Sequence, residues 1–135
     1  MIKEAMKKSI LTIEDSKALK YVLATIFKKD FDVFLADSYS EAFHYLRTKQ
    51  FVDLIIINVP NEESDNFRFL AHLSSSSLFY HIPTVVLSDS TASQLRNKTK
   101  ALGASLFLST PFDPVFLSKK VKELIYEKEN RRLII

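Results

Sequence analysis

Two hydrophobic periods alternate along the chain and together predict five strands and five helices. Short apolar runs of strand length are each followed by a longer segment whose apolar residues recur three and four positions apart, as on one face of a helix. The first pair is an apolar run at 9–14, followed by Ser16, a helix N-cap type of residue, and a stripe of Leu19, Leu23 and Phe27. The other predicted strands cover residues 32–36, 53–58, 83–88 and 105–108, and the helices after them begin near Ser38, Asp65, Thr91 and Asp113.

The third strand is predicted to lie in the middle of the sheet. Residues 54–57 are apolar without alternation, which is typical of a parallel strand covered on both faces. Strict alternation of strand and helix favours an α/β fold with a parallel sheet between two layers of helices. The length of 135 residues suits one domain, 1–135, with a core at about 9–127. Residues 128–135 are expected to be a frayed tail, beginning near Asn130, or the start of a linker.

Polar residues follow four of the predicted strands. Glu14 and Asp15 end the first, Asn58 the third and Ser88 the fourth, and Thr110 with Pro111 follows the fifth. Because the carboxyl ends of parallel strands share one edge of a sheet, these residues are expected to meet in one crevice.

This set of residues, in this order and at these intervals, resembles the receiver domains of two-component response regulators, over about residues 9–127. The resemblance implies a flavodoxin-like, doubly wound five-stranded parallel sheet of order 2-1-3-4-5 with five helices in a three-layer αβα arrangement. In that family, an acidic pair holds magnesium, an aspartate accepts a phosphoryl group, a hydroxyl senses it and a lysine before a proline contacts it. The matching positions here are Glu14 and Asp15 for the acidic pair, Asn58 for the acceptor, Ser88 for the hydroxyl, Thr110 before Pro111 for the lysine, and Phe107 for the family's switch aromatic.

Two of these positions depart from the family pattern. An amide oxygen is a far poorer nucleophile than a carboxylate, so Asn58 is not expected to form an acyl phosphate. Thr110 lacks the cation that would stabilise the phosphoryl charge. Glu14 and Asp15 retain oxygen ligands for weak magnesium binding, and the alternative is that they are a solvated loop. For Ser88 two roles remain open, that of a sensing hydroxyl and that of a strand-end cap.

Composition narrows the chemistry further. The absence of Cys excludes disulfides, thiolate metal sites and cysteine nucleophiles. The net charge of +3 comes from 19 basic and 16 acidic residues, a small excess that makes nucleic-acid binding unlikely for this domain. No run of residues is long and apolar enough for a membrane span, so a cytoplasmic protein is expected.

These observations predict an atypical receiver that is not an enzyme and acts through protein–protein interaction or dimerisation. The expected partner is a histidine kinase, an output domain or a second copy, bound through roughly residues 93–127, and no cofactor is expected beyond weak magnesium. One alternative is a phosphorylatable receiver with another acceptor, such as Asp89 or Asp65. Another is a small flavodoxin-like protein that binds a nucleotide or flavin.

Overall fold

Five strands and five helices alternate in the computed structural model, which describes residues 7–48 and 51–134, with side chains as far as Glu127. The strands are β1 Ser9–Ile13, β2 Asp32–Ala36, β3 Leu54–Asn58, β4 Thr84–Ser88 and β5 Leu106–Ser109. The helices are α1 Lys17–Phe27, α2 Tyr39–Thr48, α3 Asp65–Ser75, α4 Ser93–Ala101 and α5 Pro114–Ile134. Within these described residues, no helix combines the length and apolarity needed to cross a bilayer.

The strands form one parallel sheet in the order β2-β1-β3-β4-β5. This order confirms the predicted flavodoxin-like topology. β3 pairs with β1 on one side and β4 on the other, and four of its five residues are buried. The continuous apolar run of β3 therefore reflects its central position with both faces covered.

Alternate residues of the central strands pack into two separate hydrophobic cores, one on each face of the sheet. Ile55 and Ile57 pack in the core that contains residues of α2, α3 and α4, whereas Leu54 and Ile56 pack in the core that contains residues of α1 and α5. The two-residue period of a strand thus divides the helices into two layers. Three helices cover one face of the sheet and two cover the other, which confirms the three-layer arrangement.

Helix ends follow local chemistry, with a few differences from the prediction. The Ser16 side chain accepts a hydrogen bond from the Leu19 N–H and caps α1, and Gly103 takes a φ of +92° just past α4, a conformation that favours glycine. α4 begins at Ser93, later than the predicted start near Thr91, and its N-cap residue Ala92 makes no side-chain capping bond. The backbone of α5 continues as helix beyond Asn130 to Ile134.

Two smaller features concern the N-terminus of α2 and the position of β5. The Ser38 hydroxyl accepts from the Glu41 N–H at 3.3 Å, but the Glu41 carboxylate accepts from the Asp37 N–H rather than from Ser38. β5 begins and ends one residue later than predicted, although the Ser105 N–H is bonded to the Thr84 carbonyl at 2.8 Å as the chain enters the sheet.

Candidate functional site

The polar residues at the strand ends lie along one edge of the sheet. β1 pairs with β3 so that Ile13 is opposite Ile57, which puts Glu14 and Asn58, the next residues, level with each other. Further along the sheet, Asn58 is opposite Leu87 and Ser88 is opposite Ser109, so the ends of β4 and β5 reach successively further. The parallel register therefore brings the carboxyl ends of four strands to a common edge.

Glu14 is the buried acid of this edge. Its side chain is only 4% exposed; Oε2 accepts a hydrogen bond from the Ser16 N–H at 3.0 Å, and no partner meets hydrogen-bond geometry at Oε1. Burial raises the pKa of the Glu14 carboxyl above its ordinary value, against the opposing effect of the Ser16 N–H; the charge of Asp15 raises it further, and the nearby Asn58 side chain lowers it. Asp15, the next residue, is exposed.

Asn58 is the last residue of β3 and is half-buried. Its carbonyl oxygen accepts a hydrogen bond from Nδ2 of Asn66 at 2.7 Å, and the Val59 N–H after it donates to the Leu87 carbonyl at 2.9 Å. These bonds fix the backbone on both sides of the Asn58 side chain. The amide therefore lies beside the buried Glu14 carboxylate on a rigid support.

Ser88 and Thr110 are joined through the backbone. The Thr110 N–H donates to the Ser88 carbonyl at 2.9 Å, and the Thr110–Pro111 peptide bond is cis. The Ser88 side chain is fully buried, and its hydroxyl oxygen accepts from the Ser90 N–H at 3.1 Å. In this conformation the Ser88 hydroxyl caps the end of its own strand, and Thr110 presents a short neutral side chain at the next strand end.

Phe107 lies on β5 and is half-buried. The Arg96 guanidinium of α4 lies over its ring, 4.6 Å from the centroid, within the range of a cation–π interaction. Phe107 also packs against the core that contains α2, α3 and α4 residues. The aromatic side chain is therefore held between the core and a helix of the expected partner surface.

The loop between β3 and α3 contains contacts that the sequence pattern did not reveal. The Asn61 side-chain oxygen accepts from the Glu63 N–H at 2.9 Å, and its carbonyl accepts from the Ser64 hydroxyl at 2.7 Å. Nζ of Lys98 on α4 pairs with Oε1 of Glu62 at 2.6 Å. A self-bonded loop beside Asn58 is thus connected directly to α4.

Glu14, Asp15 and Asn58 are the residues that could hold a metal ion. The unpartnered, buried Oε1 of Glu14 is the feature that fits a cation, and hard cations such as magnesium prefer oxygen ligands. The residues present do not make a complete metal site, because no group of three or more His, Cys, Asp and Glu residues in the described part of the chain is arranged to hold a metal. Two carboxylates and an amide provide fewer charges than a tight magnesium site needs.

The two alternative acceptors lie outside this arrangement. Asp89 directly follows Ser88 and is exposed in the loop after β4. Asp65 is the first residue of α3, also exposed, and its carboxylate pairs with Nη2 of Arg68 at 2.5 Å. Neither carboxylate occupies the end of the central strand, where Asn58 lies beside Glu14.

Comparison with known proteins identifies relatives over almost all of the chain. The family described as "Response regulator receiver domain" matches residues 10–122. The response regulator Rre1 of a Synechocystis strain is 28% identical over 123 residues, which are 90% of this chain and 53% of Rre1. The ycf29 protein of Porphyra purpurea, named a probable transcriptional regulator, is 30% identical over 122 residues, 90% of this chain and 58% of that protein. The chain thus spans little more than half the length of either relative.

Solved structures agree with the fold. A response regulator from Thermotoga maritima superimposes with a TM-score of 0.79 at 22% identity, covering 90% of this chain and 99% of that one. The receiver domain of a signal transduction histidine kinase from Syntrophus aciditrophicus gives a TM-score of 0.79 at 25% identity, covering 89% and 91%. With its sheet order, its strand-end residues and the match over residues 10–122, the chain belongs to the response regulator receiver domain family.

Proposed function

We propose that this domain is a pseudo-receiver, a signalling module that binds other proteins and does not accept a phosphoryl group. The observation that carries the proposal is the amide at the end of the central strand. Asn58 occupies the position at which a phosphorylatable receiver presents an aspartate, and its neutral oxygen is a poor nucleophile toward phosphorus. The two alternative acceptors, Asp65 and Asp89, are exposed residues outside the end of the central strand, which supports the same interpretation.

The missing lysine supports the same interpretation. A phosphoryl group at the Asn58 position would bring two negative charges close to Glu14, and the short side chain of Thr110 offers no cation to balance them. The Ser88 hydroxyl accepts a hydrogen bond from the Ser90 N–H, which suits the role of a strand-end cap. These features favour a domain without enzymatic activity, in which magnesium binding through Glu14 and Asp15 is weak.

The proposed partner surface comprises α4, β5 and α5, at residues 93–127. α5 presents Val115, 76% exposed, and two further exposed aromatic side chains, Phe116 and Tyr126. Exposed apolar side chains on a helix that also buries Leu117 and Val121 suit contact with another protein. A histidine kinase, an output domain or a second copy in a homodimer would each present a surface for it, in the cytoplasm where such pathways operate.

Intact-mass measurement tests the proposal. The protein is incubated with acetyl phosphate and magnesium and then weighed, and we expect no gain of a phosphoryl group. An adduct mapped to Asp89 or Asp65 would instead identify a phosphorylatable receiver with a different acceptor. An adduct that is stable at stoichiometric level on the wild-type chain would end the pseudo-receiver proposal.

A restored variant provides the positive control. Asn58→Asp with Thr110→Lys returns the carboxylate and the cation, and we expect it to gain a phosphoryl group. The matched control is Asn61→Asp with Thr110→Lys, which makes the same change of charge three residues along the same loop and should remain unmodified. Equal labelling of the two variants would show that position 58 has no special role.

A further inference from the structure

An open depression lies at the opposite end of the sheet from the polar strand ends. It has a volume of about 550 Å³ and is bounded by the segment before β1, the residues that follow α1, the first residues of β2 and one residue of α2. Because the strands are parallel, their amino ends lie at the edge remote from Glu14 and Asn58. Its lining includes Lys7, Lys28, Lys29, Asp32, Phe34 and Tyr45.

Positive charge exceeds negative charge in the lining of this depression. Lys7, Lys28 and Lys29 are all exposed, and none has an ion-pair partner among residues 7–48 and 51–127. Asp32 is the one carboxylate in the lining. Three cations that share one anion repel each other, so an anionic ligand would lower the electrostatic energy of the group.

Local helix chemistry accounts for only part of this concentration. Lys28 and Lys29 follow the last residue of α1, where a cation interacts favourably with the helix dipole. Lys7 belongs to a different segment, which precedes β1. The depression therefore collects lysines from two separate segments of the chain, which the end of α1 alone does not account for.

A pair of stacked aromatic rings lies in the same lining. Phe34 of β2 and Tyr45 of α2 have ring centroids 4.1 Å apart and an interplanar angle of 10°. Both side chains are half-buried, so each packs inside while part of it borders the depression. An aromatic wall beside a group of lysines offers a planar apolar surface next to positive charge.

We propose that this depression binds a nucleotide, with its phosphates among the three lysines and its base against the Phe34–Tyr45 pair. Lysine is a common point-charge partner of phosphate, and bases stack on aromatic side chains. The volume lies within the range of about 300 to 1,000 Å³ that small-molecule sites occupy. The inference is independent of the proposed function, because it uses none of the strand-end residues.

Titration of the whole chain with ATP in the absence of divalent cations tests the site. Calorimetry gives the affinity, and the amide shifts of an NMR titration give the location. We expect saturable binding with shifts at residues 28–34 and 45, affinity that falls as salt is added, and smaller shifts at Glu14, Asn58 and Ser88. The largest shifts at those strand ends, or no binding at millimolar ATP, would refute the proposal.

Paired variants separate a local site from general charge attraction. The double variant Lys28→Gln with Lys29→Gln is expected to weaken ATP binding by about tenfold or more, because two phosphate contacts are lost. Lys17→Gln with Lys119→Gln removes the same charge from exposed positions outside the depression and should leave the affinity within about twofold. Equal loss in both pairs would show that only net charge matters.

A third comparison tests the role of the aromatic pair. Tyr45→Leu keeps an apolar side chain but removes the ring, and should weaken ATP binding by about fivefold or more while leaving inorganic triphosphate binding unchanged. The wild-type chain should also bind ATP more tightly than triphosphate. Equal affinity for the two, with no effect of Tyr45→Leu, would overturn the assignment of a nucleotide.

Discussion

Replacement of Glu14 by glutamine is expected to stabilise the domain at neutral pH. The glutamate is almost completely buried, and one of its two carboxylate oxygens has no hydrogen-bond partner. Glutamine keeps an oxygen that can accept from the Ser16 N–H and removes the buried negative charge. The side chain that best fits a metal ion is thus one that weakens the fold when no metal balances it.

The sign of the pH dependence follows from the raised pKa of Glu14. Between its ordinary value of 4.5 and the higher value in the folded domain, the folded state binds more protons than the unfolded state. The free energy of unfolding therefore falls as pH rises through that window, and the loss is complete above the folded-state pKa. Glu14→Gln removes this loss, so the variant should gain most at neutral pH and little below pH 4.5.

Glutamine leaves one buried polar group without a partner, as glutamate does, so the gain in stability comes from the removed charge. A buried charged group costs more than a buried neutral one by on the order of 1 kcal/mol, and the variant should gain about that much at pH 7. For a domain of this length, each kcal/mol corresponds to roughly 3.5 °C in the melting temperature. Urea unfolding and thermal melts at several pH values, without divalent cations, measure both quantities.

Asp15→Asn is the matched control, because it removes the same charge from the exposed neighbour. It should change the free energy of unfolding by less than about 0.5 kcal/mol. A gain for Glu14→Gln that is equally large at pH 3.5 and pH 7 would refute the titration argument. No gain at pH 7 would mean that the carboxylate is already balanced in the folded domain.

Three further predictions concern the same edge and the helix beside it. Asn58→Asp alone should destabilise the domain by about 1 to 3 kcal/mol without divalent cations, because it adds a second carboxylate beside Glu14, and millimolar magnesium should restore the loss in a urea titration. Lys98→Met and Glu62→Gln should each cost less than about 1 kcal/mol, and a double-mutant cycle of the two should give a coupling energy near 0.5 kcal/mol that disappears in 1 M salt. Gly103→Ala should cost about 1 kcal/mol in urea unfolding, because only the positive φ opposes the methyl group and no atom lies within 4 Å of it.

The fold could be predicted from the sequence because local and global preferences agree. The apolar run at 54–57 indicated a central strand, and the helical stripe after Ser16 indicated α1. Each of these patterns involves residues close together in the chain. Such local patterns predict the fold correctly when the same residues also pack the core.

Contacts between distant segments could not be predicted in the same way. Nothing in the local sequence indicates that Lys98 pairs with Glu62, which is 36 residues earlier, or that Arg96 covers the Phe107 ring. The length of α5 was underestimated because Asn130 suggested an end, whereas the charged residues around it are good helix formers. The burial of Glu14 was also missed, since its side chain adjoins an exposed acid in sequence.

The loop between β3 and α3 connects the end of the central strand with α4. Both of its ends are anchored, since the Val59 N–H is bonded to β4 and Asn66 is bonded to the Asn58 carbonyl. Between these ends, the hydrogen bonds made by Asn61 hold the turn, and Glu62 forms an ion pair with Lys98 of α4. A protein that bound the Glu62 carboxylate would therefore compete with Lys98 and release α4 from this turn, without any chemistry at residue 58.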